Sequence, residues 1–146
     1  MATLVIAEKP SVASDIAKAL GNFKKDGNFW ISADEERVIG SAVGHLLEIQ
    51  VPEEYDVVRG KWTFKALPVI PPYFELKPIK KTQEKLKDLA KMIRSAKITE
   101  LVNACDAGRE GELIFKYIVQ ACKSKKPIKR LWLQSMRTLF ERCVRL

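Results

Sequence analysis

"ITELVNACDAGREGELIFKYIVQAC", residues 98–122, is the stretch from which the fold can be read. Its first eight residues form an apolar run suited to a buried strand. From residue 110 onward Leu113, Ile114, Tyr117, Ile118 and Ala121 recur at the spacing of one helical face and are expected to point inward. Between the two runs lie Asp106, Glu110 and Glu112, together with Gly108, Arg109 and Gly111. Ligands of open α/β sheets collect in the crevice outside the carboxyl ends of the strands. An acid-rich turn at a strand-to-helix junction therefore falls where chemistry is expected. Carboxylates from a turn and from a helix start can share one hard cation, and magnesium takes one or two carboxylates while keeping waters and substrate phosphate in its other positions. The glycines would let a ligand approach the backbone closely. A plainer reading competes, because acids in the first turn of any helix are favoured by its dipole. That accounts for Glu110 and Glu112 but not for Asp106. A capping Asp106 would call for Glu or Gln three residues on, and Arg109 stands there.

Working outward, the same strand-then-helix pattern appears at the start of the chain. Residues 3–7, "TLVIA", read as a buried strand. After "EKP" comes "SVASDIAKALG", with Val12, Ile16, Ala19 and Leu20 on one helical face, Ser11 as its cap and Gly21 at its end. Glu8 and Lys9 thus occupy the same topological position as Asp106, and if the two strands are neighbours Glu8 faces Asp106. "NFWISA" and "ERVIGSAVG" predict a hairpin turning at residues 34–36. Residues 45–77 hold four prolines, with Pro78 at the border, and predict a long irregular connection anchored by Trp62 and Tyr73. Residues 80–96 predict an amphipathic helix through Leu86, Leu89, Ala90 and Ile93, and "IKRLWL" a further strand. Alternating strands and helices imply an α/β fold with a mainly parallel sheet.

Composition narrows the class. A chain of 146 residues with 47% hydrophobic content can bury one core, and a second independent domain is not expected. No apolar run reaches the roughly 20 residues of a membrane span, and no basic region precedes the first apolar stretch as an export signal requires. Cys105, Cys122 and Cys143 are widely spaced and never paired as C-x-x-C, which speaks against a disulfide framework or zinc ribbon and suits a reducing cytoplasm. The net charge is +8, and residues 123–146 carry eight basic side chains against Glu141 alone. Such an end suits a polyanion such as nucleic acid, or serves only as a solvated surface.

Four segments taken together, "LVIAEKPSVASDIAKALG", "GSAVGHLLEI", "NACDAGREGELIF" and "KRLWLQSM", resemble the Toprim domain that opens the type IA DNA topoisomerases, and most of all its topoisomerase III branch. The resemblance spans residues 1–136 and leaves 137–146 as an atypical basic tail. It implies a Toprim fold, a Rossmann-like sheet flanked by helices, with the hairpin and the irregular loop as insertions. It implies magnesium as cofactor and single-stranded DNA as partner. Glu8 matches the acid that works at the scissile phosphate and helps hold the metal. Asp106 and Glu110 match the first and last acids of the family's D-x-D-x-E motif, with Gly108 at the middle position, so that one ion rather than two is expected. Lys9 matches a phosphate contact, Arg109 matches the arginine of the acidic motif, a phosphate contact or an orienter of the carboxylates, and His45 matches the family's "GH" position, where it would touch DNA or simply sit hydrogen-bonded in a turn.

The nucleophilic tyrosine of such enzymes lies in a later domain, and Tyr55, Tyr73 and Tyr117 match no such motif. The resemblance therefore implies a Toprim portion that acts with the remaining domains of a parent topoisomerase, without a membrane, and is inactive alone. A different Toprim enzyme, a nuclease or primase, would share the acids. A non-catalytic nucleic-acid-binding module would fit the basic tail and the missing aspartate.

Overall fold

The computed structural model describes residues 1–50 and 74–132. Its framework is a six-stranded sheet built from β1 (Ala2–Ala7), β2 (Phe23–Asp26), β3 (Phe29–Ser32), β4 (Arg37–Ser41), β7 (Ile98–Ala104) and β8 (Ile128–Arg130), in the order β2-β3-β4-β1-β7-β8. β1 runs parallel to both of its neighbours, β4 and β7, and β7 runs parallel to β8. The antiparallel β2-β3-β4 meander completes the sheet at one side. The mainly parallel α/β architecture is as expected.

The sheet is covered on both faces. Alternate residues of a strand point to opposite sides, and β1 divides accordingly. Val5 and Ala7 join α1 (Pro10–Leu20) through Ala13, Ile16 and Ala17. Leu4 and Ile6 join α2 (Gln83–Arg94) and α3 (Arg109–Cys122) through Leu86, Leu89, Ile93, Ile114, Phe115 and Ile118. Burial on both faces explains why β1 and the later half of β7 are mainly apolar.

Several details differ from expectation. Lys9, not Ser11, is the N-cap of α1, and it makes no side-chain cap hydrogen bond. Pro10 takes the first helical position, where its fixed φ fits and its missing N–H is no loss. Gly21 does close the helix. Ala19 is exposed, while Ala13 and Ala17 face the sheet. On α3 Leu113 is exposed and Phe115 is buried. A run of three apolar residues, 113–115, leaves the phase of the face ambiguous to within one residue. α2 starts at Gln83 after a single 3-10 turn at Lys80–Thr82, because the earlier residues belong to that turn. β8 stops at Arg130 rather than continuing to residue 133.

Two features went unread. Gly27-Asn28 turns β2 back into β3, with Gly27 at positive φ. At the edges of the irregular connection, β5 (Leu47–Ile49) and β6 (Leu76–Pro78) pair as a small antiparallel sheet. The proposed anchors Trp62 and Tyr73, Tyr55, Cys143, the boundary at 136 and the tail 137–146 lie outside the described residues. Among the described residues no helix is long and apolar enough to cross a membrane.

Leu89 is fully buried between α2 and the sheet. Leu89→Ala should lower unfolding free energy by about 2–5 kcal/mol in a urea titration. A loss below about 1 kcal/mol would show that α2 does not seal this face.

Candidate active site

The parallel register pairs Ala7 of β1 with Ala104 of β7, so the residues that follow each strand emerge side by side at the carboxyl edge of the sheet. Glu8 leaves β1 there and is only 7% exposed. Its Oε2 accepts a hydrogen bond from the Asp106 backbone N–H at 3.3 Å. The Lys9 ammonium stands 3.6 Å from Glu8 Oε1 and 3.7 Å from Asp106 Oδ2, so the two carboxylates share one cation. Glu8, Lys9 and Asp106, separated by almost a hundred residues in the chain, thus meet as expected.

The other residues singled out by sequence lie around this pair. After β4 the chain continues alongside β1, where Ala42 donates its N–H to the Ala7 carbonyl at 2.8 Å and Gly44 to the Glu8 carbonyl at 3.4 Å. Gly44 has φ +71, a conformation that favours glycine, and the turn it makes delivers His45 to the crevice. His45 Nε2 lies 3.4 Å from Glu110 Oε1. Glu110 and Arg109 both sit in the first turn of α3, and both are exposed. Among the described residues Arg109 makes no ion pair, so its guanidinium faces solvent at the helix start. Asp106 does not cap α3. Gly108 holds the N-cap position, without a side-chain cap bond.

The two glycines of the turn divide in role. Gly108 has an extended backbone that any residue adopts, and a Cβ there would meet nothing within 4 Å. A Cβ on Gly111 would overlap the Asp106 carbonyl oxygen and lie 3.0 Å from the Asp106 nitrogen. The space beside Gly111 is therefore taken by the turn itself and not by a ligand, which corrects the expectation for that glycine.

Beneath the turn is a polar network that sequence reasoning missed. Arg130, at the end of β8, donates from Nη2 to the Asp106 carbonyl at 3.0 Å and from Nη1 to the Asn103 carbonyl at 3.3 Å. Its Nε lies 3.1 Å from Glu112 Oε1, an ion pair whose N–H is not aimed at the oxygen. Asn103 is buried. Its amide donates to Glu112 Oε1 at 3.2 Å, and its oxygen accepts the Cys105 N–H at 3.0 Å. Glu112 is thus a structural partner inside the turn as well as an acid in the first turn of α3. In the sequence Arg130 is one more cation in a basic run, and only the β7–β8 pairing places it here.

Magnesium is the ion this residue pattern implies. Among the described residues no group of three or more His, Cys, Asp or Glu side chains converges as a ready metal cluster. What the structure offers is a pair of carboxylates, Glu8 and Asp106, gathered around one cationic centre. Two oxygen donors are what a magnesium ion held mainly by water and substrate phosphate takes from its protein.

Comparison with known families matches residues 3–136 to the Toprim domain. The chain belongs to the Toprim family. Its Toprim fold is similar in sequence to segments of longer bacterial enzymes. DNA topoisomerase 3 of Staphylococcus haemolyticus (strain JCSC1435) is 43% identical over 136 residues. DNA topoisomerase 3 of Staphylococcus aureus (strain USA300) is 41% identical over 137 residues. In both cases the match covers 93% of this chain and 19% of the relative, so the chain spans about a fifth of the length of these proteins.

Two expectations follow from the geometry of this Toprim turn. Gly111→Ala should destabilise the chain by about 1–3 kcal/mol, because backbone rather than a flexible side chain must yield. An unchanged thermal midpoint would show that the turn is softer than its contacts imply. The second concerns Cys105, fully buried below the crevice, whose thiol is pushed up to about 12 first by burial and then by the nearby Glu8 charge. The folded value lies above the ordinary one, so the stability tied to the neutral thiol is present up to about pH 9 and is lost as pH rises toward 12. At pH 8 iodoacetamide should leave Cys105 unmodified in the native chain and modify it after denaturation, as read by mass spectrometry. Rapid native labelling would mean that the crevice floor opens.

Proposed function

We propose that this chain is the Toprim portion of a type IA topoisomerase of the topoisomerase 3 kind, assisting transient cleavage and religation of single-stranded DNA together with the other domains of such an enzyme. The observation that carries the reading is the meeting of Glu8 and Asp106 around the Lys9 ammonium at the carboxyl ends of adjacent parallel strands. The similarity to two DNA topoisomerase 3 proteins supports it. A cytoplasmic setting belongs to the same proposal and agrees with Cys105 and Cys122 being free thiols.

In this reading the side chains divide the work. Glu8 sits where a carboxyl group can pass a proton to or from the oxygen that leaves or attacks the phosphate, and its burial keeps it fixed by the Asp106 N–H. Lys9 neutralises phosphate charge from beside it, and Arg109, exposed at the start of α3, binds a neighbouring phosphate of the strand. His45 contacts the DNA from the far side of Glu110. Asp106 and Glu8 would hold magnesium; Glu110, expected from the sequence as a further donor, stands beside His45 and is not gathered with them. When bound, the ion supplies positive charge against the phosphate oxygens and orients the strand. With Gly108 offering no carboxylate, one ion suffices.

A domain exchange tests the proposal. The chain should be substituted for the corresponding segment of the Staphylococcus aureus relative and assayed for plasmid relaxation with magnesium varied. Magnesium-dependent relaxation is expected. Glu8→Gln should slow strand cleavage about 10²–10⁴-fold while retaining DNA binding. Asp106→Asn should be restored by raised magnesium, since an amide oxygen lacks the charge a hard cation favours. If raised magnesium restores Glu8→Gln as fully, Glu8 is a metal donor only and the proton role fails. Magnesium-independent DNA binding without any relaxation would favour a non-catalytic module instead.

A further inference from the structure

We infer that Arg130 is a positioning residue for Asp106, acting through the Asp106 main chain and not through phosphate or metal. The inference rests on the reading of Asp106 as a metal donor. Two of the Arg130 N–H groups are donated, Nη2 to the Asp106 carbonyl at 3.0 Å and Nη1 to the Asn103 carbonyl at 3.3 Å, while Nε lies buried 3.1 Å from Glu112 Oε1 as an ion pair. The guanidinium Cζ lies 4.6 Å from the centroid of the Trp132 ring, within cation–π distance. The side chain is 16% exposed. A guanidinium so placed directs its hydrogen bonds into the turn, with little of the side chain left to solvent.

What it controls is the place of one peptide. The Asp106 carbonyl accepts from Arg130 and from the Gly108 N–H at 2.8 Å, and it presses against Gly111, where no Cβ could fit. The N–H of the same residue is donated to Glu8. Both polar groups of the Asp106 backbone are therefore held, and the exposed carboxylate projects from an anchored hinge rather than a free loop. The anchor is itself fixed, because Glu112 holds Arg130 and the buried Asn103 amide holds Glu112. Supporting contacts of this kind typically change metal affinity 10–100-fold when lost. Lysine could satisfy one of these partners but lacks the planar fork that meets several at once.

The sign of the effect separates this role from simple electrostatics. Removing a bystander cation near a metal site should tighten metal binding. Removing a positioning residue should weaken it. The measurement is the affinity of the chain for manganese, a hard cation of similar ligand preference to magnesium, followed by the electron paramagnetic resonance signal of the free ion, well below the thermal midpoint of each variant. Arg130→Gln should weaken manganese binding about 10-fold or more, and Arg130→Lys by less. In an Asp106→Asn background the same Arg130→Gln change should have no further effect, because its route is through Asp106. Tighter or unchanged binding in Arg130→Gln, with the Asp106→Asn effect intact, would overturn the positioning role. An equal Arg130→Gln effect with and without the Asp106 carboxylate would also overturn it. If Asp106→Asn itself leaves manganese affinity unchanged, the metal reading falls and this inference falls with it.

Discussion

The pairing of β1 with β7 is the constraint on which the rest of the crevice depends. It joins segments almost a hundred residues apart in parallel register from Thr3 opposite Glu100 to Ala7 opposite Ala104. One residue further along, Glu8 is buried, and a buried carboxylate is tolerated only when its charge is met. The partners that meet it, the Lys9 ammonium and the Asp106 N–H, exist only because the two strands end together. A slip of one residue in this ladder would turn every apolar side chain of β1 to the wrong face of the sheet. The packing that fixes the register is the packing that assembles the acids.

Charges around the crevice are arranged in alternation. Glu8, Lys9 and Asp106 form one chain of contacts, Glu112 and Arg130 a second beneath it, and Glu110 and His45 a third across it. The upper group is exposed at its outer end and can exchange partners with a ligand, whereas the Arg130 group is enclosed and keeps its partners. The Lys9 ammonium at the rim is 58% exposed, while the inner cation is bound to the backbone of the turn.

The alternation of strands and helices was legible because burial on both faces leaves mainly apolar runs at residues 3–7 and 98–105, and because α2 and α3 repeat at helical spacing. The acids were legible as well, from their place after two such runs. Where reading failed, the cause was local or topological. Pro10 displaced Ser11 from the start of α1 because a ring without an N–H fits the first helical position better than a cap fits next to it. The run 113–115 concealed which of three apolar residues pointed outward, and it was Leu113. Arg130 was hidden for a different reason. Its partners Asn103 and Asp106 lie more than twenty residues away, and no pattern in a basic stretch marks the one cation that a neighbouring strand will draw inward.

At the antiparallel side, β2 is the last strand of the six-stranded sheet, and three of its four residues, Lys24, Lys25 and Asp26, are exposed. A terminal strand is an open row of hydrogen-bonding groups, ready to template the growth of a sheet from one molecule into the next. Here that row is short and bears two like charges, one of which also lies 5.9 Å from the Trp30 ring on the adjoining strand. An incoming copy of the same edge would bring lysine against lysine. The meander thus gives the sheet a border that resists polymerisation.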